Sequence, residues 1–437
     1  MNIIIAGAGK VGFHLAKTLC IGHNVTVIDQ NAQALERIQE SLDILPLQGD
    51  VEDITTYDNF LQTHIDLFIA VTNVDNVNLV ATLVADTALD INKKIVRLQK
   101  SHFKNTPIAK KLDIQKMIFP IHLASLGVAS LLDYPKANNV KFFQYTDFKL
   151  ISVMVSQTFI PQVFTTDKFK IVGIERDKKF FIPQNAVTLY PNDLVYCFGD
   201  EDAIRSEYHK LEIDTNVTIE RCVIFGGDDL GVSIAQELLN KTKEIKLIEK
   251  DLELCHKADE LLGGKVAIIN SKYDTHDIFE DEGLQHADIF ISATSNDEFN
   301  IIKSLEAKER GIKKVVAINN DMEYYNLMHS LGIIVVRGPK ISAYNTIMEE
   351  ISTNGVVIQK SFCGAKAVVF MRKVLPNSPL AHKKIKPPKT QDTLVFYLRD
   401  ETLHPLKEKI LLEEDDLLIA FAKEQTSAKI KQWIYEL

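Results

Sequence analysis

Three glycines and one carboxylate are the residues of this sequence best placed by type and spacing to do chemistry. Gly7, Gly9 and Gly12 stand in "GAGKVG", directly after the apolar run "NIIIA" and directly before a helically spaced stretch at 11–20. In that setting the first glycine permits a tight turn, the second removes a side chain where a diphosphate sits, and the third lets helix and strand pack closely. Free amides at the helix start then face an anion. Asp29 follows Gly7 by 22 residues, at the end of the next apolar run, "NVTVID". A carboxylate there accepts hydrogen bonds from ribose hydroxyls. It would also repel a 2′-phosphate, and no arginine stands in "DQNAQ", so NAD(H) or ATP/ADP is favoured over NADP. A plain strand-to-helix turn that binds nothing is the alternative reading of the same string.

Further candidates fall where the following strands end. Gly49 and Asp50 close "QGD", Thr72 and Asp75 lie in "AVTNVDNVN", and Arg97 ends "KKIVR". Ligands bind at that carboxyl edge in open α/β sheets. Arg97 suits a phosphate, and Lys10 could reach a terminal phosphate or simply be solvated.

The elements that must hold these residues are short, Ile- and Val-rich runs alternating with helical spacing at 11–20, 31–40, 76–88 and 104–112. Strands too apolar for one wet face imply a parallel sheet covered on both sides. The expected fold is α/β and Rossmann-like, doubly wound. After Pro120, "IHLASLGVASLLDY" is apolar around nearly its whole circumference and needs burial, against a second copy or within its own chain. From about residue 140 alternating runs such as "KLISVMV" and "DLVYCFG" predict a small β-rich domain.

The whole arrangement recurs after about 220 residues. Gly7 aligns with Gly226, Asp29 with Glu249, Thr72 with Thr294 and Pro120 with Pro339, and the β-rich texture returns at 366–422. The expected domains are 1–120 and 219–338 for the two Rossmann-like units, and 121–139 and 339–358 for crossover helices. The β-rich (α+β) domains are expected at 140–212 and 359–437. In the second unit Asp228 replaces the middle glycine and "NSK" replaces "QGD". A carboxylate ~4 Å from a diphosphate costs about 4 kcal/mol per charge pair at an effective dielectric of ~20. That is roughly a thousandfold in affinity. The second copy (Gly226, Asp228, Glu249, Thr294) is therefore expected to keep the fold and lose dinucleotide binding. Asp228 holding a metal, or a nucleoside without phosphates, is the competing reading.

Composition removes other classes. The chain of 437 residues is 46% hydrophobic and 25% charged, as in ordinary globular proteins. Its net charge of −9 provides no broad cationic field for nucleic acid. The run Lys383, Lys384, Lys386 and Lys389 is broken by prolines and reads as a solvated loop. Cys20, Cys197, Cys222, Cys255 and Cys363 form no CxxC pair and predict neither zinc site nor disulfide framework. No run of about 18 apolar residues spans a bilayer, and no basic leader precedes the first strand, so membrane association is expected only through a partner protein. His14, His23, His64, His102 and His122 fall in no recognisable catalytic string. A nucleotide site without chemistry beside it reads as a sensor.

The order of domains, "GAGKVG", Asp29, "QGD", "AVTNVDNVN" and the repeat "GGDDLG" together resemble the TrkA family of regulatory subunits of Trk-type potassium uptake systems. The resemblance covers essentially the whole chain, with the units corresponding to RCK or KTN domains and their C-terminal partners. It implies a non-enzymatic gating subunit that binds NAD(H) and adenine nucleotides. It further implies a cytoplasmic homo-oligomer, dimer or tetramer, on the inner face of the cell membrane against a TrkH-like potassium-translocating subunit. By position it assigns Gly7, Gly9, Lys10, Val11, Asp29, Gly49, Asp50, Thr72, Asp75 and Arg97 to the first nucleotide pocket. Gln99 stands where relatives often carry a second basic residue, which weakens a triphosphate grip. A soluble NAD-dependent oxidoreductase and a nucleotide sensor for another transporter are the alternatives.

Overall fold

Ile3, Ile4 and Ile5 are each at most 1% exposed, so the first strand is covered on both faces. The computed structural model describes all residues except 144, 212–217, 273–277, 353–356 and 389. Lys389 of the lysine run thus lies outside the described residues, while Lys383, Lys384 and Lys386 are exposed. The first unit runs β1 (Asn2–Ala6), α1 (Lys10–Leu19), β2 (Asn24–Asp29), α2 (Ala32–Gln39), β3 (Leu45–Gln48), β4 (Ile65–Ala70), α3 (Asp75–Ala88) and β5 (Ile91–Arg97). It closes with α4 (Ile108–Lys111), β6 (Lys116–Ile118) and α5 (Pro120–Asp133).

All neighbouring strands of this six-stranded sheet are parallel, in the order β3-β2-β1-β4-β5-β6. The order reverses between β1 and β4, which opens a crevice at their carboxyl ends. Side chains alternate along β1: Ile3 and Ile5 join one core and Ile4 and Ala6 the other. Each fully buried Ile contributes about 1.5–3 kcal/mol. The helix expected at 104–112 is instead a 3-10 turn, Ser101–Asn105, followed by α4. Pro107 causes the break: Thr106 before it sits at φ −99°, ψ 156°, out of the helical region.

The strands Arg221–Phe225, Glu244–Glu249, Ala267–Asn270, Ile289–Ser292, Lys314–Asn319 and Ile334–Arg337 repeat the sheet order. The β-rich parts repeat as well. Antiparallel five-stranded sheets begin at Ala137 and Val357 and have matching strand orders. The first begins three residues before the expected 140, where the register against Lys149–Met154 is already established. Their inner faces share one core, with Phe198 against Phe421 at 5.2 Å between ring centroids.

The two halves exchange their crossover helices. Val128, Ala129 and Leu131 of α5 are buried in the core of the second Rossmann-like unit, against Leu230, Ile234 and Leu238. Ala343 and Ile347 of the helix Pro339–Ser352 are buried in the first unit's core, against Val11 and Leu15. The apolar girth of α5 thus finds its partner within its own chain. Neither unit's core closes without the other half. Among the described residues no helix is long and apolar enough to cross a membrane.

Candidate functional site

Strand β1 ends at Ala6, and the chain turns sharply because Gly7 takes φ +116°, a value side chains rarely tolerate. Its N–H donates to the Ile28 carbonyl and its Cα approaches Thr72, whose nitrogen a Cβ would meet at 3.1 Å. Gly12 is equally dictated by the fold: a Cβ there would stand 1.9 Å from the Gly7 oxygen. Gly9 is different. Its backbone is extended at φ −68°, ψ −176°, and a Cβ would meet nothing within 4 Å. No contact inside the protein demands that glycine.

Gly9 is also the N-cap of α1 and offers no side-chain acceptor. The first amides of the helix, those of Val11 and Gly12 among them, therefore have no side-chain cap. They present the positive end of the helix dipole at the carboxyl edge of the sheet. Around this turn Asp29 accepts the Ala8 N–H on Oδ2 at 2.6 Å and the Asn31 N–H on Oδ1 at 2.8 Å. It remains partly exposed, with a lone pair on each oxygen left for a hydroxyl. Gly49 joins through its N–H to the Asp29 carbonyl at 3.1 Å.

Arg97, at the end of β5, is 7% exposed, and its Nε has no partner among the described residues. Nη1 donates to the Asn73 Oδ1 at 3.2 Å. Burial pushes its pKa down and the Asp75 charge pushes it back up. A buried cation with an unused donor fits an anion such as phosphate.

Several assigned residues act on the protein itself. Asp75 is 9% exposed and accepts the N–H groups of Gln99 and Lys100 at 2.7 and 2.9 Å. Both oxygens are engaged by the backbone, so Asp75 anchors the loop after β5 instead of facing the turn. The Val11 side chain is 4% exposed in the core, leaving its amide as the group at the turn. At Gly49 a Cβ would strike Thr56 at 2.8 Å, which accounts for that glycine by packing. Asp50 Oδ1 accepts the Glu52 N–H at 2.9 Å.

Asn78 was not singled out by its sequence context, yet it is fully buried and ties the site together. Its Oδ1 accepts from Thr72 N and Oγ1 at 2.9 and 2.7 Å, and its Nδ2 donates to the Thr72 and Arg97 carbonyls at 3.0 and 2.9 Å. The signal was present, since both "VTNVDNVN" and "ATSNDEFN" end in this asparagine and Asn300 makes the same four bonds. The second half also reaches the first site: Lys10 Nζ lies 3.9 Å from Asp321 Oδ2. Lys340 feels the charges of Lys10, Asp297, Arg97 and Asp321, and burial, the largest influence, pushes its pKa down.

The second copy of the turn is closed from within. Gly226 repeats the left-handed turn at φ +114° and Gly231 the close approach at 1.9 Å. Asp228, however, accepts the Leu230 and Gly231 N–H groups on Oδ1 at 3.0 and 3.2 Å. Its carboxylate takes the position at the helix start that an anionic ligand would need. Burial is the main influence on it and raises its pKa. Glu249 is 3% exposed and accepts the Gly227 N–H on Oε2 at 2.6 Å. Thr294 is held by Asn300 and is 8% exposed. Replacing Asp228 by Ala is expected to cost about 1 kcal/mol of stability through loss of the cap, read as a lower urea midpoint.

His102 lies on the 3-10 turn Ser101–Asn105 that follows β5, with its ring centroid 4.2 Å from that of Phe103. His64 pairs with Asp90 Oδ2 at 2.6 Å, next to the amino-terminal edge of β4, and the His14 ring stands 6.2 Å from that of Tyr344. His122 faces Glu237 Oε1 at 3.6 Å, and burial lowers its pKa.

Known proteins share this architecture. The chain is 27% identical over 447 residues to the Trk system potassium uptake protein TrkA homolog of Archaeoglobus fulgidus, covering 99% of each chain. It is 28% identical over 377 residues to the Trk system potassium uptake protein TrkA of Halomonas elongata, covering 82% of this chain and 80% of that one. Among solved structures, the GsuK channel bound to NAD matches with a TM-score of 0.63 at 16% identity, over 100% of this chain and 79% of that one. The GsuK RCK domain matches with a TM-score of 0.62 at 14% identity, over 100% and 95%, a likeness of fold. The model of the TrkA-N domain matches residues 3–120 and again 222–339, more than half of the sequence, and on that ground the chain belongs to the TrkA-N family.

Proposed function

We propose that this chain is a non-enzymatic, cytoplasmic regulatory subunit of a Trk-type potassium uptake system. In this reading it binds NAD(H) or ATP/ADP at its first Rossmann-like unit and gates a TrkH-like membrane subunit. The observation that carries the reading is the asymmetry of the two turns. Gly9 leaves an uncapped helix and empty space that the protein does not need, whereas Asp228 caps the equivalent helix. When bound, such a nucleotide supplies phosphate charge and does no chemistry. The amides of Val11 and Gly12 would hold its diphosphate, Asp29 its ribose and Arg97 a phosphate.

Occupancy can move a gate only by favouring one conformation over another. Lys10 offers the link, because a terminal phosphate would compete with Asp321 of the second half for its ammonium. Exposed Val80 and Leu83 on α3, and exposed Ile302 on Asp297–Glu309, supply apolar faces consistent with a dimer or tetramer.

Arg97→Met is expected to weaken ADP binding by about tenfold to a hundredfold, the worth of one hydrogen bond to a charged group, in an isothermal titration. The function itself is tested by potassium flux in vesicles that hold the membrane subunit and this protein. Flux should change on adding ATP, ADP, NAD or NADH. Flux indifferent to all four would end the regulatory reading.

A further inference from the structure

Away from the glycine turns, three cations converge on a cleft with one carboxylate among them. Arg337 ends the last strand of the second Rossmann-like sheet, Lys141 ends the first strand of the first β-rich sheet, and Lys360 lies on Val357–Phe362 of the other. A cavity of about 130 Å³ and an adjoining one of about 340 Å³ are both lined by Lys141, Arg337, Asn139 and Asn345. Among the described residues the Lys141 ammonium has no hydrogen bond or ion pair, its backbone being paired with Leu150. Among the same residues the Arg337 guanidinium donates only to the Ser361 carbonyl, at 3.2 Å. Glu349 lies 3.8 Å from Lys360. Burial pushes the pKa of Lys141 well down, the charges of Arg337 and Lys360 push it further, and Glu349 opposes them. Arg337 is likewise lowered by burial.

Three like charges confined together against a single carboxylate, Glu349, leave an excess of positive charge, and the usual resolution is an anion seated between them. One side of the cleft is apolar and aromatic, formed by Tyr196, Tyr325 and Phe362. We propose that this cleft is a second ligand site, for a small organic anion whose phosphate or carboxylate oxygens lie between Lys141 and Arg337 and whose flat or apolar body packs on the aromatic wall. Both crossover helices reach the larger cavity, through Leu126 and Ser130 of α5 and through Ser342 and Thr346 of Pro339–Ser352. An occupant therefore touches the elements that the two halves exchange.

The test uses the full chain and phenyl phosphate, which carries both chemical features, with inorganic phosphate as the head group alone. Thermal unfolding should shift upward with phenyl phosphate in wild type and equally in Gly9→Asp, which separates this site from the glycine cradle. The apparent affinity should fall by about tenfold or more in Lys141→Met and in Arg337→Met, the loss of a charge-assisted bond. Because a variant can misfold, wild-type crystals soaked in selenate provide an independent reading. An anomalous peak between Lys141 and Arg337 supports the site. No peak there, no shift in wild type, or a shift that survives both methionine variants overturns it.

Discussion

Replacing Gly9 with Asp is expected to weaken ADP or NAD binding about a thousandfold in an isothermal titration. The protein contains its own precedent. Asp228, at the equivalent position, folds its carboxylate onto the Leu230 and Gly231 amides. The backbone at Gly9 has nearly the same dihedrals, φ −68° and ψ −176° against φ −70° and ψ −176° at Asp228. No atom lies within 4 Å of a Cβ there, so the backbone and the first side-chain carbon of an aspartate are accommodated as at Asp228. Such an aspartate would consume the amides meant for a diphosphate and add a repulsion of about 4 kcal/mol at ~4 Å and an effective dielectric of ~20. The variant should fold at least as well as wild type, since it gains a cap worth about 1 kcal/mol. Undiminished binding by a folded Gly9→Asp protein would remove the turn from the account.

Gly12→Ala should do the opposite, costing about 3 kcal/mol of stability or more, the range for forcing extra atoms into a closed site. Its Cβ would fall 1.9 Å from the Gly7 oxygen. Gly7 cannot yield, because its own turn is held at φ +116° against Thr72. Gly9→Ala is the matched control, with no neighbour within 4 Å of the added carbon. Urea midpoints of the full-length chain should therefore fall for Gly12→Ala and stay at the wild-type value for Gly9→Ala, while Gly9→Ala still weakens nucleotide binding. Equal loss of stability in both would mean that Gly9 serves the fold.

Much of this was legible in the residues. The alternation of Ile-rich runs with helical stretches specified a parallel sheet, because Ile3, Ile4 and Ile5 cannot all be dry in a sheet with one wet face. The offset between Gly7 and Gly226 revealed the duplication. The apolar girth of α5 showed that it needed a partner, and only the fold shows that the partner is the other half's Leu230 and Ile234. Such an exchange leaves no local signal.

At the site, the glycines and Asp29 were readable from spacing, whereas the work of Asp75 was not. Its carboxylate meets amides 24 and 25 residues away, at Gln99 and Lys100. The repulsion expected of Asp228 is half of its effect. An aspartate before "LGVSIAQEL" is also a helix cap, and that sign was available in the sequence. Lys10 meeting Asp321 across 311 residues was beyond any pattern.

The asymmetry between an open turn and a self-capped one is the centre of the account, and stoichiometry tests it most directly. Calorimetric titration of the wild-type chain with ADP should show one site per chain, abolished by Gly9→Asp, with the affinity of that site unchanged by Asp228→Ala. Two equivalent sites per chain, or no heat of binding with ADP or with NAD, would contradict it.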